Sequence, residues 1–209
     1  MNIEKLAVGF LGTNCYLVSS GDRAVVIDPG AEPERILACA ENAGVKIEAI
    51  LLTHAHFDHV LAVSDIKEKT GARLISTEGE RTRLQSAEIS GHTMLKRREF
   101  IPLLADEEVS DGDKIEIGDM VFEVMHTPGH TEGSVCFISD GVMFSGDTLF
   151  FDTCGRCDLV GGDYPKMLET LRRISDIPED LRVLPGHGEE TTLSREKRFN
   201  PYIAEANKA

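Results

Sequence analysis

The sequence predicts an α+β fold in which two β-sheets pack against each other and helices cover their outer faces. The pattern is several β-type runs, a pair of helical segments, more β-type runs and a closing helical segment, as though one layout had been used twice. The length of 209 residues and the 41% hydrophobic content allow one substantial core. No linker or low-complexity tract divides the chain. We therefore expect a single domain over residues 1–209.

The first half begins with β-type residues and turns and then changes to helical spacing. Strands are predicted at residues 5–8, 15–19 and 23–27, because β-type residues there alternate with turns at glycines. Apolar residues at helical spacing predict a helix over residues 32–43 that Gly44 ends. The following elements are predicted as a buried strand at 47–52, a helix at 60–70, a short strand at 74–75 and a polar helix at 78–88.

The second half repeats the order of strands followed by helix. Residues 89–108 are the least regular, and residues 114–145 read as strands with turns at Gly118-Asp119 and Asp140-Gly141. Met167, Leu168, Leu171 and Ile174 have helical spacing. A last strand is predicted at residues 181–184, and Ser194 is predicted to cap the final helix.

Charge and hydropathy exclude two classes of partner. The formal net charge of −14 repels phosphate backbones, and we interpret the basic run Lys96-Arg97-Arg98 as a solvated face, not a nucleic-acid patch. The chain has no run of about 18 apolar residues that could span a bilayer, and it begins without a targeting pattern. We expect a cytoplasmic protein that binds neither nucleic acid nor membrane.

The five cysteines have no disulfide-framework spacing, which favours a reducing compartment. Cys154 and Cys157 form a CxxC in a glycine-rich loop. A redox pair is the alternative, but such pairs open a helix after a strand, so we interpret these as two incidental thiols.

The most informative segment is His54-Ala-His56-Phe-Asp58-His59, which contains three of the seven histidines. In an extended segment, residues i and i+2 point the same way, so His54 and His56 can hold one ion, while Asp58 and His59 turn toward a second. Imidazole and carboxylate without thiolate suit a hydrolytic site for zinc, iron or manganese. The sequence therefore predicts a metal site here.

Three further glycine-rich loops follow predicted strands and carry possible ligands. They are Met125-His-Thr-Pro-Gly-His130, Ser145-Gly-Asp147-Thr-Leu and Leu184-Pro-Gly-His187-Gly. Loops at strand ends are where rigid scaffolds hold functional groups, and glycine lets the backbone approach an ion closely.

Together, the segments THAHFDH, HTPGHT, GDTLF and PGHG resemble the metallo-β-lactamase-fold hydrolases, in particular the glyoxalase-II-like (hydroxyacylglutathione hydrolase) branch. The resemblance covers almost the whole chain, and residues 155–163, 192–193 and 200–202 look like the short, single-domain members. It implies a four-layer αββα sandwich with the site along one edge.

The resemblance also implies the ligands. The first ion would be held by His54, His56 and His130, the second by Asp58, His59 and His187, and Asp147 would bridge both. All seven positions are filled.

Three further residues are interpreted beside this set. His126 is by residue type an alternative to His130, and we interpret it as a structural or supporting residue. Asp28 is either a ligand-orienting carboxylate or a plain turn residue. His92 lies outside every motif and is interpreted as a surface or lid histidine.

The implied activity is hydrolysis of a small-molecule thioester of the S-2-hydroxyacylglutathione type. Two divalent ions, zinc first with iron or manganese as alternatives, would share a water and lower its pKa from 15.7 toward roughly 7. The hydroxide is the expected nucleophile, and Asp58 is the candidate for moving protons. A leaving thiolate with a reference pKa of about 8.5 needs no dedicated acid.

Substrate contacts are less defined by the sequence. Arg156 matches the basic residue of the family's GCG[KR] segment and is the candidate substrate-binding residue, but Asp158 stands where the family has an aromatic residue. The Phe150-Phe151 pair is interpreted as core packing, with a pocket wall as the alternative.

Three other functions stay open at this point. They are a mononuclear iron persulfide dioxygenase, which the GCGRxD segment also resembles, a lactone or ester hydrolase using the same site, and a non-enzymatic protein on the same scaffold. The sequence does not predict an oligomeric state.

Overall fold

A computed structural model describes residues 1–95 and 99–208, so the basic run at 96–98 lies outside the described residues. The strands in the first half of the chain are β1 (Asn2–Val8), β2 (Thr13–Ser20), β3 (Arg23–Ile27), β4 (Lys46–Leu51), β5 (Arg73–Thr77) and β6 (Glu107–Val109). Those in the second half are β7 (Lys114–Ile117), β8 (Met120–His126), β9 (Val135–Ser139), β10 (Val142–Gly146), β11 (Leu149–Phe150), β12 (Thr153–Cys154), β13 (Arg182–Pro185) and β14 (Thr191–Thr192).

Within the described residues, these strands form two six-stranded sheets and one small hairpin. The first sheet has the order β1-β2-β3-β4-β5-β6, antiparallel from β1 to β3 and parallel from β3 to β6. The second has the order β14-β13-β10-β9-β8-β7, with β10 and β13 its parallel pair. β11 pairs with β12. The two sheets correspond to the two halves that the repeated sequence pattern predicts.

The helices follow or connect the strands. They are α1 (Pro33–Ala43), α2 (Phe57–Val60), α3 (Val63–Thr70), α4 (Arg81–Leu84), α5 (Tyr164–Ser175), α6 (Leu193–Phe199) and α7 (Pro201–Ala206), with 3₁₀ turns at Glu78–Glu80 and His92–Met94. Proline at the first turn of α1 and a left-handed Gly44 after its last residue explain where that helix begins and ends.

Three apolar layers confirm the predicted four-layer αββα sandwich. Residues such as Phe122, Phe137 and Phe144 fill the space between the sheets. A second layer joins the outer face of the first sheet to α1 and α3, and a third joins the outer face of the second sheet to α5, α6 and α7. Each sheet is therefore buried on both faces over much of its area.

Hydrogen bonds join the two sheets along one edge. The Asn14 amide nitrogens donate to the carbonyls of Gly186 and Pro185 at 2.7 and 2.9 Å, and the Tyr16 hydroxyl donates to Pro185 O at 2.7 Å. Nearby, Val135 N donates to Thr53 O at 2.9 Å. These contacts fix the strand-end loops of one sheet against those of the other.

Most element predictions are confirmed within a few residues, and two are wrong. The predicted polar helix at 78–88 is only a 3₁₀ turn and the four-residue α4, and Glu80 and Arg83, which a polar helix would expose, are buried. The helix that Ser194 is predicted to cap is α6, which is instead capped by Thr192, whose hydroxyl accepts from Arg195 N, while Ser194 lies inside the helix. That helix ends at Asn200, which caps α7 ahead of Pro201.

None of the helices within residues 1–95 and 99–208 is long and apolar enough to cross a bilayer.

Replacing Phe137 by alanine should lower the free energy of unfolding by about 3–5 kcal/mol, because this fully buried ring fills the layer between the sheets. Urea denaturation measures the change. Val121→Ala is the control, since Val121 is 43% exposed on β8 and should shift stability by less than about 0.5 kcal/mol. Equal losses in both variants would contradict the inter-sheet core.

Candidate metal centre

The histidine motif begins where β4 ends. Residues 52–56 form an extended loop at the edge of the first sheet, and α2 starts immediately after His56. His54 and His56 therefore precede the helical turn, whereas Asp58 and His59 lie on it. The local structure separates the motif into the two pairs that its spacing predicts.

Among the described residues, ring nitrogens and carboxylate oxygens gather here in three groups, each with its ligand atoms within 4.8 Å of one another. His54, His56 and His130 form the first cluster, and Asp58, His59 and His187 form the second. The third group, Asp28 with His54 and His59, shares one histidine with each cluster. His130 follows β8 and His187 follows β13, so both sheets contribute to both clusters.

Asp147, which follows β10, lies between the clusters. Its Oδ1 is 3.5 Å from His59 Nε2, and its Oδ2 is 3.6 Å from His130 Nε2 and 3.7 Å from His187 Nε2. All seven residues predicted as ligands are thus brought together.

Unpaired buried atoms test whether these residues fit metal ions. His54 Nε2, His59 Nε2 and Asp147 Oδ1 are buried and have no hydrogen-bond partner among the described residues. Buried polar atoms are nearly always paired, so three unpaired atoms in one place indicate a missing partner. The nitrogen and oxygen donor set, without thiolate, fits zinc, iron or manganese.

Two imidazoles of the first cluster, those of His54 and His56, are held in the neutral form. Burial, then repulsion from the neighbouring His59 and His130, keeps the pKa of His54 well below its usual value. Burial, followed by His130 and Arg83, lowers the pKa of His56 to about 2. Neutral imidazole is the form that binds metal.

The second cluster has an excess of negative charge. Burial opposes protonation of His59, but Asp58, Asp147 and Asp28 outweigh it and raise its pKa to about 10. Burial likewise opposes ionisation of Asp58, but His59 and a hydrogen bond from His187 hold its pKa well below the usual range. Three carboxylates around one imidazole form a place that favours a cation.

Asp28 supports the ligands from beneath. One carboxylate oxygen accepts from Thr53 N at 2.8 Å, and the other accepts from Thr53 Oγ1 at 2.6 Å and lies 3.0 Å from His59 Nδ1. The Thr53 hydroxyl is also 3.1 Å from His54 Nδ1. This placement favours the ligand-orienting interpretation over the plain turn residue.

Arg156 reaches the site through its backbone. Its carbonyl accepts from His130 Nδ1 at 2.7 Å, which fixes the ring. Its guanidinium is 62% exposed and forms a bidentate pair with Asp158, with both nitrogen–oxygen distances at 2.7 Å. Substrate binding by the Arg156 side chain stays a prediction.

Three interpretations from the sequence meet different outcomes. His126 Nε2 donates to Glu132 O at 2.9 Å and belongs to neither cluster, as a structural residue should. The surface interpretation of His92 is wrong, because the ring is buried and packs edge-to-face with the Phe100 ring, with 5.2 Å between ring centroids. Core packing is wrong for Phe151, which is 40% exposed beneath the Arg195 guanidinium.

The neighbour of Phe151 lies closer to the site. The half-buried Phe150 ring packs edge-on against His187, with 6.5 Å between ring centroids. The alternative interpretation of this position as a pocket wall fits that contact.

The two CxxC thiols have no marks of a reactive pair. All five cysteines are free. Burial, with a smaller effect of Cys157, raises the pKa of Cys154 to about 12, so the thiolate is scarce at neutral pH. This agrees with incidental thiols.

Glu80 and Arg83 are the site residues that the sequence does not reveal. The buried Glu80 carboxylate accepts from Ala55 N at 2.9 Å, inside the histidine motif, and from Thr131 Oγ1 at 2.5 Å, next to His130. It also pairs with Arg83 Nε at 3.0 Å. The i,i+3 spacing of opposite charges is typical of solvated helices, so nothing in the sequence marks this pair as buried.

Arg83 links Glu80 to the other loops around the first cluster. Its guanidinium donates to the carbonyls of Ile89 and Val160 at 2.5 and 3.0 Å and lies 3.5 Å from His56 Nε2. One buried ion pair therefore joins the loops that carry His56 and His130.

Glycines allow the ligand loops to approach one another. A Cβ on Gly186 would lie 2.3 Å from Asp147 Oδ1 and 2.8 Å from His59 Cε1. A Cβ on Gly155 would lie 1.8 Å from Asp147 O, and one on Gly30 would lie 1.6 Å from Asp58 O. Each distance is shorter than real Cβ contacts, so the backbone needs glycine at these positions.

Comparison with known proteins gives one family match, the metallo-beta-lactamase superfamily, over residues 8–187. Two relatives align over almost their full length. A probable metallo-hydrolase, YqgX of Bacillus subtilis, is 34% identical over 97% of this chain and 98% of its own. The hydroxyacylglutathione hydrolase GloC of Haemophilus influenzae is 32% identical over 97% of this chain and 98% of its own.

Solved structures show the same fold. The B3 metallo-beta-lactamase BLEG-1 superposes with a TM-score of 0.91 at 34% identity, covering 97% of this chain and 99% of that one. TTHA1623 in a di-iron-bound form superposes with a TM-score of 0.85 at 37% identity, covering 95% of this chain and 99% of that one. ETHE1 from Myxococcus xanthus superposes with a TM-score of 0.83 at 28% identity, covering 98% of this chain and 85% of that one.

Arg83→Ala should destabilise the protein by about 3–5 kcal/mol, because it leaves the Glu80 carboxylate buried without its partner. Arg81→Ala is the matched control: Arg81 pairs with Glu108 but is 49% exposed, so its loss should cost less than about 1 kcal/mol. Chemical denaturation followed by circular dichroism compares them, and similar losses would argue against a structural role for the buried pair.

Gly186→Ala should reduce bound metal to well below the wild-type level, because the new methyl group occupies the space beside Asp147 Oδ1. Elemental analysis after reconstitution measures this. Gly141→Ala is the control: its positive φ makes the substitution strained, but open space surrounds it, so any loss of metal caused by general destabilisation would appear there as well. Retention of full metal content by Gly186→Ala would show that the loops are not held as closely as described.

Proposed function

The chain belongs to the metallo-beta-lactamase superfamily, and we propose that it is a hydrolase that holds two divalent metal ions and cleaves thioesters of the S-2-hydroxyacylglutathione type. The observation that carries the proposal is the position of Asp147, within 3.7 Å of ring nitrogens from both clusters. A carboxylate there is suited to bridging two ions.

The ligands divide as the clusters do. His54, His56 and His130 would hold the first ion, and Asp58, His59 and His187 the second. When bound, the ions supply Lewis acidity to a carbonyl oxygen and lower the pKa of a water. The low pKa values of His54 and His56 leave both rings neutral and ready to bind an ion, and the carboxylates of the second cluster would favour a cation that displaces the proton held by His59.

Asp58 is proposed to orient the attacking water and to relay the proton that this water gives up, because a carboxylate with so low a pKa does not keep the proton. Its side chain is 14% exposed at the opening of the site, and its Oδ2 accepts a hydrogen bond from Thr13 Oγ1 at 2.9 Å. Thr13 thereby fixes the carboxylate plane. A leaving thiolate with a pKa of about 8.5 departs without an acid, so no second proton carrier is needed for a thioester.

The substrate class rests on the relatives. A full-length relative at 32% identity is named a hydroxyacylglutathione hydrolase. The site chemistry would also serve lactones and other esters, because a water oriented by Asp58 and activated by bound ions would attack any activated carbonyl.

The dioxygenase alternative requires a single iron. The second cluster argues against the dioxygenase. A mononuclear enzyme needs no second ion, yet a second set of possible ligands is present here: Asp58, His59, His187 and Asp147. Oxygen consumption with glutathione persulfide as substrate separates the two functions.

Zinc is the first choice of metal, and iron and manganese are the alternatives. All three accept imidazole and carboxylate, so metal availability decides among them. The similarity to TTHA1623, whose structure is described in a di-iron-bound form, supports iron as an alternative to zinc.

Metal-loaded protein should hydrolyse S-lactoylglutathione, and a chelator should abolish the activity until metal is restored, because the ions supply both nucleophile activation and carbonyl polarisation. Thiol release followed by absorbance measures the rate. Parallel assays use a lactone and a β-lactam. Turnover of either of these with none of the thioester would contradict the proposed substrate class.

Asp147→Asn should lower the metal content from two ions per chain toward one and reduce kcat by more than about 100-fold, since the substitution removes the charge between the clusters. Elemental analysis and steady-state kinetics give the two values. Asp152→Asn is the control, because that carboxylate pairs with Arg195 at the surface. Unchanged metal content in Asp147→Asn would remove the bridging role.

A further inference from the structure

A cavity of about 220 Å³ lies beside the metal centre on the side of Asp58. Asp58 and Thr13 form the end that meets the centre. The rest of the described lining is apolar side chains and glycine, including Val8, Leu61 and Leu95. The cavity therefore shares Asp58 and Thr13 with the metal centre but differs from it in polarity.

The tip of the β1–β2 hairpin forms the outer wall. Phe10 and Leu11 both line the cavity, and they are 74% and 48% exposed. The Phe10 ring stacks on Phe57, next to Asp58 in the chain, with 6.3 Å between centroids and 18° between planes. Adjacent exposed apolar residues at the mouth of a cavity are typical of a binding site.

The base of this hairpin is held in place. Gly9 N donates to Glu32 Oε1 at 2.8 Å, and the Arg35 guanidinium donates to Ala7 O at 2.9 Å and to Glu32 Oε2 at 3.0 Å. The wall is thus positioned before any ligand arrives, which reduces the ordering cost of binding.

Charge and size restrict what can enter. Among the described lining residues, Asp58 carries the one charge and it is negative, so the lining offers no partner to a carboxylate or phosphate. Glutathione, with two carboxylates, does not suit it. The volume corresponds to on the order of seven heavy atoms, since a water occupies about 30 Å³ in the liquid.

We propose that this cavity binds the acyl chain of the thioester, so that the substrate carries an uncharged alkyl or aryl acyl group larger than lactoyl. The proposal rests on the proposed function, because it places the scissile carbonyl next to Asp58. The thiol portion then extends away from the hairpin. Acyl-chain recognition here depends on apolar burial, not on charge.

The test is a series of S-acylglutathiones, from acetyl to octanoyl with 2-hydroxy counterparts, assayed with the metal-loaded full chain. Burying each methylene should raise kcat/KM by about fourfold until the cavity is full, which follows from about 0.8 kcal/mol per methylene. Leu11→Asp should abolish this dependence by placing a carboxylate in the wall. Leu104→Asp, at a leucine that is 66% exposed and outside the lining, should retain it.

Calorimetric titration of the metal-loaded protein with uncharged straight-chain alcohols, ethanol to octanol, gives a readout that needs no turnover and places no carboxylate next to Asp58. If affinity rises with chain length while no thioester is hydrolysed, the cavity assignment stands and the proposed function fails. If thioesters are hydrolysed but neither rate nor affinity depends on acyl length, the cavity assignment is overturned. Dependence on the length of an alkyl thiol leaving group instead, or equal effects of the two aspartate variants, also overturns it.

Discussion

The rest of the structure depends on one constraint: buried metal-binding groups at one edge of the sandwich lack hydrogen-bond partners among the described residues. Asp58 and Asp147 bring negative charge against the histidines of the site, and three buried ligand atoms there have no hydrogen-bond partner within residues 1–95 and 99–208. Such an arrangement is costly for a protein alone. Bound cations remove that cost, so the site links metal binding to the stability of the folded state.

The scaffold around the site keeps this unfavourable arrangement together. Asp28 and Thr53 fix the motif from the first sheet, whereas the Glu80–Arg83 pair ties it to the loop of the second sheet that carries His130. Hydrogen bonds from Asn14 and Tyr16 hold the loop before His187. The ligands therefore come from loops, but rigid strand ends and buried polar contacts determine their positions.

The sequence predicts the parts of this account that are local or depend on residue type. Strand and helix order follow from periodicity, and histidine and aspartate in glycine-rich loops after strands indicate a metal site. The full ligand set follows from the family resemblance that those motifs carry. The burial of Glu80 and Arg83 could not be predicted, because their spacing also fits a solvated helix. Arg156 was assigned by its side chain, yet its backbone carbonyl is what contacts His130. Such contacts depend on the tertiary structure, which periodicity does not encode.

Crystallographic anomalous scattering at the metal absorption edge, on the metal-reconstituted protein, tests the central claim most directly. The account predicts two peaks, one among His54, His56 and His130 and one among Asp58, His59 and His187, with Asp147 between them. A single peak in the first cluster, with no metal at the second under saturating metal, would contradict the two-ion centre.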